Sequence, residues 1–149
     1  MEKRVIDNDL LLIPYYQNDE ISLTWYQNPD ICRQVDNIDF VYDLKRLHAM
    51  YEFLTTHGSC YYISYSGKLI GDVSLLDNGE IAMVISKEYQ NLHIGRKCML
   101  NMIDLAKEKG MKKVQAKIYS FNVQCQKMVK AIGFEKVTDE WYEYEFIIK

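Results

Sequence analysis

One segment near the middle of the chain restricts the fold more than any other. Three runs rich in β-branched and aromatic residues, 61–65, 69–76 and 81–85, are separated by Ser66-Gly67 and by Asp77-Asn78-Gly79. Both separators are turn signals, because glycine and asparagine accept the backbone angles that tight hairpins need. The pattern predicts three sequential antiparallel strands.

Helical and strand-like periods extend on both sides of these strands. Before them, the sequence predicts a strand at Leu10–Pro14, a helix over 20–27 capped by Asn18 or Asp19, a break at Asn28-Pro29-Asp30, irregular chain around 36–39, and a helix from 41 to the stop at Gly58. After them, it predicts a helix from 94 to Gly110, a strand over 113–119, a helix over 123–132 between Asn122 and Gly133, and a hairpin of 134–137 and 141–148. This is an α/β fold with helices attached to a mixed sheet. The 149 residues contain no repeat or linker, which predicts one domain over 1–149.

The composition argues against several classes of protein. A formal net charge of -3 without a long basic run makes nucleic acid a poor partner. No signal-peptide core follows Met1 and no stretch of about 18 apolar residues can span a bilayer, so we expect a cytoplasmic protein without membrane contact. The four cysteines form no C-x-x-C pair and the three histidines show no ligand spacing, which predicts reduced thiols and no metal site.

The turn Gln90-Asn91-Leu92-His93-Ile94-Gly95-Arg96 connects the third strand to the following helix. A helix amino terminus exposes unpaired N–H groups and the positive end of the helix dipole, which suits a phosphate group. Gly95 permits close approach of the backbone, while Arg96 and Lys97 add cationic charge that a bound anion would compensate. The turn is therefore a candidate pyrophosphate cradle, with an ordinary loop as the alternative.

This turn resembles the signature of the GNAT N-acetyltransferase superfamily, which is Gln/Arg-x-x-Gly-x-Gly/Ala at the start of the central helix. Gln90 and Gly95 match the signature. His93 stands where the first glycine is usual. Because its amide can still donate, we expect binding to be retained; the alternatives are that its β-carbon and ring crowd the phosphate or that its imidazole hydrogen-bonds to a phosphate oxygen.

A second segment resembles the last-helix motif of the same superfamily, Asn-x-x-Ala/Ser ending in Gly-Phe. Asn122, the small residue Cys125 and Gly133-Phe134 match it. Two motifs in the right order imply a GNAT-like fold, with a mixed, mostly antiparallel central sheet that is splayed at the cofactor strand and flanked by about four helices.

The resemblance implies acetyl-CoA as co-substrate. The backbone of Asn91, Leu92, His93, Ile94, Gly95 and Arg96 would hold the pyrophosphate, and Met83, Val84 and Ile85 would pair with the pantetheine arm like an added strand. Asn122 would contact the cofactor with its side chain. A plain helix cap is the alternative role of Asn122, and the two roles are compatible.

The resemblance also implies direct transfer of an acetyl group to a primary amine, with a backbone N–H of the cofactor strand polarising the carbonyl. The superfamily's usual acid, a tyrosine seven residues after the motif asparagine, is replaced by Val129. The glutamate base of the ribosomal-protein acetyltransferases, five residues before it, is replaced by Lys117. Tyr119 is a candidate acid or a half-buried sheet aromatic, and Glu80 is a candidate base or a solvated turn carboxylate. A non-catalytic acyl-CoA sensor on the same fold is therefore the alternative function.

The acceptor is constrained only by charge and by aromatic content. Residues 21–58 carry five acidic against three basic side chains, and Glu140, Glu143 and Glu145 lie beside Trp141 and two tyrosines. Such a groove favours a cationic amine, whether a small amine, a polyamine, an aminoglycoside-like molecule or a protein amino terminus; solvated faces are the alternative. Residues 25–31 resemble the opening helix of the subgroup that acetylates ribosomal-protein amino termini and polyamines. The alternating strand from Trp141 predicts an exposed aromatic edge and hence a homodimer.

Overall fold

The protein was analysed as a computed structural model, which describes residues 1–146. In chain order the elements are β1 (Arg4–Val5), β2 (Leu10–Pro14), α1 (Asp19–Tyr26), α2 (Pro29–Asp36), α3 (Leu44–Thr56), β3 (Gly58–Tyr65), β4 (Lys68–Leu76), β5 (Ile81–Ile85), a 3-10 turn (Lys87–Tyr89), α4 (Ile94–Glu108), β6 (Lys113–Lys117), α5 (Val123–Ile132), β7 (Glu135–Lys136) and β8 (Trp141–Glu145). Residues 147 and 148 of the predicted closing hairpin lie outside the described residues.

The β layer consists of two antiparallel sheets that meet at one point. The first sheet has the order β1-β2-β3-β4-β5, and the second has the order β6-β8-β7. They are joined by a parallel bridge between Glu80 and Gln115, where the Gln115 N–H donates to the Gly79 carbonyl at 2.9 Å. Beyond this bridge β5 and β6 run in the same direction without pairing. The predicted mixed, mostly antiparallel sheet that is splayed at β5 is confirmed.

Helices cover both faces of the β layer. Side chains alternate along β5, so that Ile81 packs into a core cluster with residues of α4, while Val84 packs into a second cluster with residues of α1, α2 and α3. The face that carries α4 is called the α4 face below, and the opposite face is called the α1–α3 face. Even α4, which at 15 residues is the longest helix of residues 1–146, is too short to cross a bilayer.

Helix α2 was not predicted: the sequence indicated a break at Asn28-Pro29-Asp30 and irregular chain around 36–39, without a helix between them. The Asn28 side chain accepts hydrogen bonds from the N–H groups of Asp30 at 2.9 Å and Ile31 at 3.3 Å, and Pro29 occupies the first helical position. Proline is tolerated there because the N–H that it lacks would have no partner in the helix. The same three residues therefore end α1 and start α2. The described chain has five α-helices rather than about four.

Strand β8 also differs from the prediction of an exposed edge. It pairs with β6 on one side and with β7 on the other, and Tyr142 is buried. Within residues 1–146 the edge of this sheet is instead β7, which has two residues. The aromatic edge was therefore wrong, and the homodimer remains a prediction without that support.

Candidate functional site

The open side of β5 faces the gap between the two sheets. Glu80 and Ser86, which flank the strand, bond to β4 and its end through backbone groups at 2.8 and 2.7 Å. Because the direction of backbone N–H and C=O groups alternates along a strand, those of Met83 and Ile85 point away from β4. Val84 pairs with Asp72 of β4, so it offers no backbone group to the gap. Of the three predicted strand residues, Met83 and Ile85 present their backbone to it.

The gap is limited at one end by the side chain of Gln90. Its amide donates to the Ile85 carbonyl at 2.9 Å and to the Gln34 side chain of α2 at 3.1 Å. Gln90 therefore ties the turn before α4 to the end of β5 and to α2. The glutamine of the signature motif therefore has a structural role in this protein. Because Gln90 occupies the Ile85 carbonyl, Met83 is the central residue of the open edge.

The turn before α4 brings two residues into the left-handed backbone region. Asn91 has φ 65° and His93 has φ 66°. His93 is the N-cap of α4, makes no side-chain cap bond and is exposed, as Leu92 is. The first N–H groups of α4, on Ile94, Gly95 and Arg96, have no partner within the helix because they precede its first complete turn.

Gly95 places the start of α4 directly against β5. A Cβ at this position would lie 3.2 Å from Met83 Cε and 3.4 Å from Ile85 Cδ1. The glycine therefore lets the helix terminus approach the side chains of the open strand. The predicted pyrophosphate cradle and the predicted pantetheine strand are adjacent in the structure.

The cationic charge at this helix terminus is partly compensated within the protein. Lys97 Nζ lies 2.7 Å from Asp7 Oδ2. The expectation that a bound anion compensates both cations is thus wrong for Lys97. Among residues 1–146, Arg96 forms no ion pair, and its side chain is exposed.

Asn122 acts as a helix cap at the start of α5. Its side chain accepts from the Cys125 N–H at 3.3 Å. This is the alternative role that the sequence offered. Val129, which stands at the superfamily's usual position for the acid, is fully buried in the core cluster on the α4 face.

Glu80, Lys117 and Tyr119 share one face of the sheets. On β6 and just beyond it, Val114, Ala116 and Ile118 pack into the cluster on the α4 face, so the odd-numbered side chains point to the α1–α3 face. By the same alternation along β5, Glu80 shares the face of Val84. The two candidate catalytic residues therefore lie on the same face of the β layer, on opposite sides of the gap.

The pKa of Glu80 reflects its place at the junction of the two sheets. Burial raises this pKa above its ordinary value, and the charge of Lys117 lowers it in part. The carboxyl is half-buried and follows the turn in which the Asn78 side chain accepts from the Glu80 N–H at 2.9 Å. It is therefore not the freely solvated turn carboxylate that was the alternative.

Tyr119 belongs to a stack of aromatic and cationic groups that the sequence did not reveal. Its ring lies 5.9 Å from that of Phe121 with 7° between the planes. The Arg33 guanidinium lies 4.9 Å from the centre of the Phe121 ring, and Lys117 Nζ lies 5.3 Å from that of Tyr119. Arg33 comes from α2, far away in sequence, so no local pattern signals this contact.

Behind the open strand lies a buried carboxyl that sequence reasoning also missed. Asp72 of β4 accepts hydrogen bonds from the hydroxyls of Tyr26 and Tyr51, both at 2.7 Å. Burial raises the pKa of Asp72 to about 6, although the two hydroxyls lower it. Asp72 thereby connects α1 and α3 to the strand that pairs with β5. Within residues 1–146, no group of three His, Cys, Asp or Glu side chains is arranged to hold a metal ion.

Comparison with protein families gives a match over most of the chain. The model of the acetyltransferase (GNAT) family matches residues 19–134. This range includes all of α1 to α5, the open strand β5 and both sequence motifs.

Solved structures share the fold at low sequence identity. A domain from Methanocaldococcus jannaschii DSM 2661 has a TM-score of 0.80 and 21% identity, over 94% of this chain and 100% of that chain. The acetyltransferase from Salmonella typhimurium that modifies the N-terminal serine of the 50S ribosomal subunit protein L7/L12 has a TM-score of 0.77 and 11% identity, over 98% of this chain and 100% of that chain. The yncA protein of Salmonella typhimurium, solved with its cofactor acetyl-CoA, has a TM-score of 0.72 and 17% identity, over 93% of this chain and 94% of that chain.

Proposed function

Because this chain belongs to the GNAT acetyltransferase family, we propose that it transfers the acetyl group of acetyl-CoA directly to a primary amine. The observation that carries the proposal is the open edge of β5 beside the bare amino terminus of α4. The edge of β5 offers backbone groups to an extended chain of amides, and the amino terminus of α4 offers N–H groups to a pyrophosphate. Acetyl-CoA carries both chemical features within one molecule.

The residues of the gap fit this co-substrate. The Met83 carbonyl and the Ile85 N–H would pair with the pantetheine amides, since the Ile85 carbonyl already accepts from Gln90, and the N–H groups of residues 94–96 would hold the pyrophosphate. Asn122 contributes as the cap of α5, and a direct contact to the cofactor is an additional role that we propose for it. Acetyl-CoA supplies an activated thioester; positioning and proton transfer are the contributions of the protein.

The proposed transfer needs a neutral amine, a polarised carbonyl and a proton for the leaving group. The amine nitrogen bonds to the acetyl carbon, the carbon–sulfur bond breaks, and a proton goes to the departing thiolate. The Met83 N–H is placed to polarise the carbonyl oxygen. Glu80 takes a proton from the amine through water, and Tyr119 gives one to the sulfur. The raised pKa of Glu80 supports its role, because it brings the base closer to neutral pH.

The acceptor that we propose is an amine on a small molecule or at a protein amino terminus. The Salmonella acetyltransferase with the same fold modifies an N-terminal serine, which supports an acceptor of this kind. Thiol release from acetyl-CoA, measured against a panel of amines and peptides, tests catalysis and acceptor together. No release with any acceptor would contradict the proposal.

Two substitutions test the catalytic roles. We expect Glu80→Gln to lower kcat/KM at least about tenfold and to remove the rise of activity with pH, since a base works only when deprotonated. We expect Tyr119→Phe to lower kcat about 10- to 100-fold. Glu52→Gln and Tyr16→Phe are matched controls, because both residues are exposed and neither lies on a strand of the gap. Full turnover of Tyr119→Phe across the pH range would show that Tyr119 is not the acid.

The second candidate function is a non-catalytic acyl-CoA sensor. It is favoured by Val129 and Lys117, which stand at the usual positions of the acid and the base. Calorimetry distinguishes the two functions, because a sensor binds CoA and acetyl-CoA without releasing thiol in the presence of any amine.

A further inference from the structure

We propose that Arg33 selects acceptors that carry a carboxylate close to the reacting amine. This inference rests on the proposed function and names the substrate class of the same site. The inference is argued from the guanidinium of Arg33, from the Phe121 ring that it stacks on and from the ion pairs in the surrounding region.

Arg33 lies across the opening between the two sheets. Its helix α2 is fastened to the chain that follows β5, through Gln34 to Gln90 at 3.1 Å and through Asp30 to Lys87 at 3.5 Å. Phe121 lies just beyond the end of β6 on the other side of the gap. The contact of 4.9 Å between the Arg33 guanidinium and the Phe121 ring therefore spans the opening.

Of the eight carboxylates that make this region acidic in sequence, four form ion pairs within residues 1–146, and one of these is Glu143, which lies 3.0 Å from Lys113. Asp30 lies 3.5 Å from Lys87, Asp36 lies 3.7 Å from Arg46, and Glu140 lies 3.7 Å from Lys117. The count of charges along the chain thus overstates the free negative charge. A polyamine finds fewer free carboxylates here than the sequence suggested.

Of the three cations in segment 21–58, Arg33 and Lys45 form no ion pair within residues 1–146, and Arg33 is the one that stacks on Phe121 beside the gap. The guanidinium of Arg33 forms no ion pair among residues 1–146, and because its side chain is exposed it is accessible to a ligand. The ring of Phe121 holds the guanidinium from one side and leaves its N–H groups at the edge for another partner. A carboxylate is the group that matches this planar fork best, because it accepts two parallel hydrogen bonds.

The position of Arg33 relative to the candidate catalytic residues indicates that a carboxylate bound to it would lie near the reacting amine. Phe121 stacks on Tyr119, and Tyr119 shares the α1–α3 face with Glu80. Because the Arg33–Phe121 contact spans the gap, we expect an amine that reaches β5 from this face to come close to it. The acceptor would bind Arg33 through its carboxylate and present its amine to Glu80, so only a few atoms separate the two groups. An α-amino acid, or a peptide with an acidic residue near its amino terminus, has this arrangement.

Matched acceptor pairs test the inference by thiol release from acetyl-CoA. One arm compares α-amino acids with their carboxamides, and the other compares peptides that carry aspartate or asparagine at the second position. We expect wild-type protein at low salt to prefer the carboxylate member of at least one arm by about tenfold in kcat/KM, and added salt to reduce the preference. The arm that shows the preference identifies the source of the carboxylate.

Substitution of Arg33 provides the decisive comparison. We expect Arg33→Gln to bring the ratio close to one, and Arg33→Lys to retain part of the preference because it keeps the charge without the fork. Arg46→Gln is the matched control, since Arg46 stacks on Phe40 and Tyr42 and pairs with Asp36 instead. An unchanged ratio in Arg33→Gln, or a wild-type preference for the uncharged members, overturns the inference.

The role of Arg33 can be tested by binding even if the protein does not catalyse acetyl transfer. If no acceptor releases thiol, the proposed function fails, and calorimetry then compares binding of the same acceptors to CoA-loaded wild-type and Arg33→Gln protein. Weaker binding of the carboxylates to the variant supports the inference. Equal binding, or no binding to either protein, overturns it.

Discussion

His93 holds a backbone conformation that histidine rarely adopts. Its φ of 66° lies in the left-handed region, where a β-carbon costs about 1 kcal/mol relative to glycine. We expect His93→Gly to raise the free energy of unfolding by up to about that amount and to keep or increase affinity for CoA, since no ring then stands beside the helix terminus. Urea denaturation and calorimetry with CoA provide the two measurements.

Asn91→Gly is the matched control for His93→Gly, because Asn91 has nearly the same φ and asparagine tolerates this region better. A loss of CoA affinity of tenfold or more in His93→Gly alone would show that the imidazole itself binds the phosphate. That outcome would decide between the two roles that the sequence left open for His93.

Single residues were predicted well where their role is local. Asn122 was identified as a helix cap because its hydrogen bond reaches only as far as Cys125, three residues on. Arg33 and Asp72 were missed because their partners come from other elements, so that no spacing along the chain announces them. The free charge of the site was misjudged for the same reason, since its ion pairs join distant segments.

The stability of helix α2 is expected to depend on its N-cap residue, Asn28. The Asn28 side chain bonds to two N–H groups of the helix, whereas Asn18 at the start of α1 makes no side-chain cap bond. We expect Asn28→Ala to lower the free energy of unfolding by about 1 kcal/mol and Asn18→Ala to lower it less. Denaturant titration of the two variants measures the difference.

A functional readout accompanies this pair. Because α2 carries Arg33 and Gln34, a frayed helix start is expected to weaken acceptor selection in Asn28→Ala more than in Asn18→Ala. Equal stability of both variants would show that α2 is held by its buried residues Ile31 and Cys32 rather than by its cap.

Elements with a strong period were predicted, and those that depend on distant pairing were not. Strands β3, β4 and β5 have uninterrupted β-rich runs between clear turns, and α4 has a full apolar stripe. Helix α2 has only eight residues, and its proline could be read as a break or as a start. The position of β8 between β6 and β7 follows from pairing across α5, which strand periodicity does not encode.

The stability of the whole molecule is expected to respond to the titration of Asp72. Its folded pKa of about 6 lies above the ordinary value of 3.8, so between these two pH values the unfolded chain releases a proton that the folded protein keeps. The part of the stability that comes from protonated Asp72 is therefore fully present below about pH 4 and is lost as pH rises to about 6. Above that pH it stays level. The loss amounts to about 3 kcal/mol.

Replacement of Asp72 isolates this contribution. We expect the difference in unfolding free energy between wild type and Asp72→Asn to fall as pH rises from about 4 to about 6, which urea denaturation at each pH measures. Tyr26 and Tyr51 remain donors throughout, because burial raises the pKa of both hydroxyls. The groups packed nearby that interact with its charge are Tyr15, Cys60 and Tyr62.

Asp7 provides the control of opposite sign. Its hydrogen bond to Lys97 lowers its pKa, so its contribution is present above the ordinary pKa and is lost as pH falls through the folded value. The corresponding difference for Asp7→Asn is expected to rise with pH. A flat difference for Asp72→Asn would show that the carboxyl is as well solvated as in the unfolded chain.

The single bridge between Glu80 and Gln115 also bears on the order in which the molecule assembles. Strands β3, β4 and β5 are joined by the short turns 66–67 and 77–80, whereas the bridge closes the loop 81–114, which contains all of α4. Contacts between consecutive strands cost less loop-closure entropy than contacts across a long loop. We therefore expect β3, β4 and β5 to assemble before the bridge forms, so that the open side of β5 exists before β6 is brought beside it.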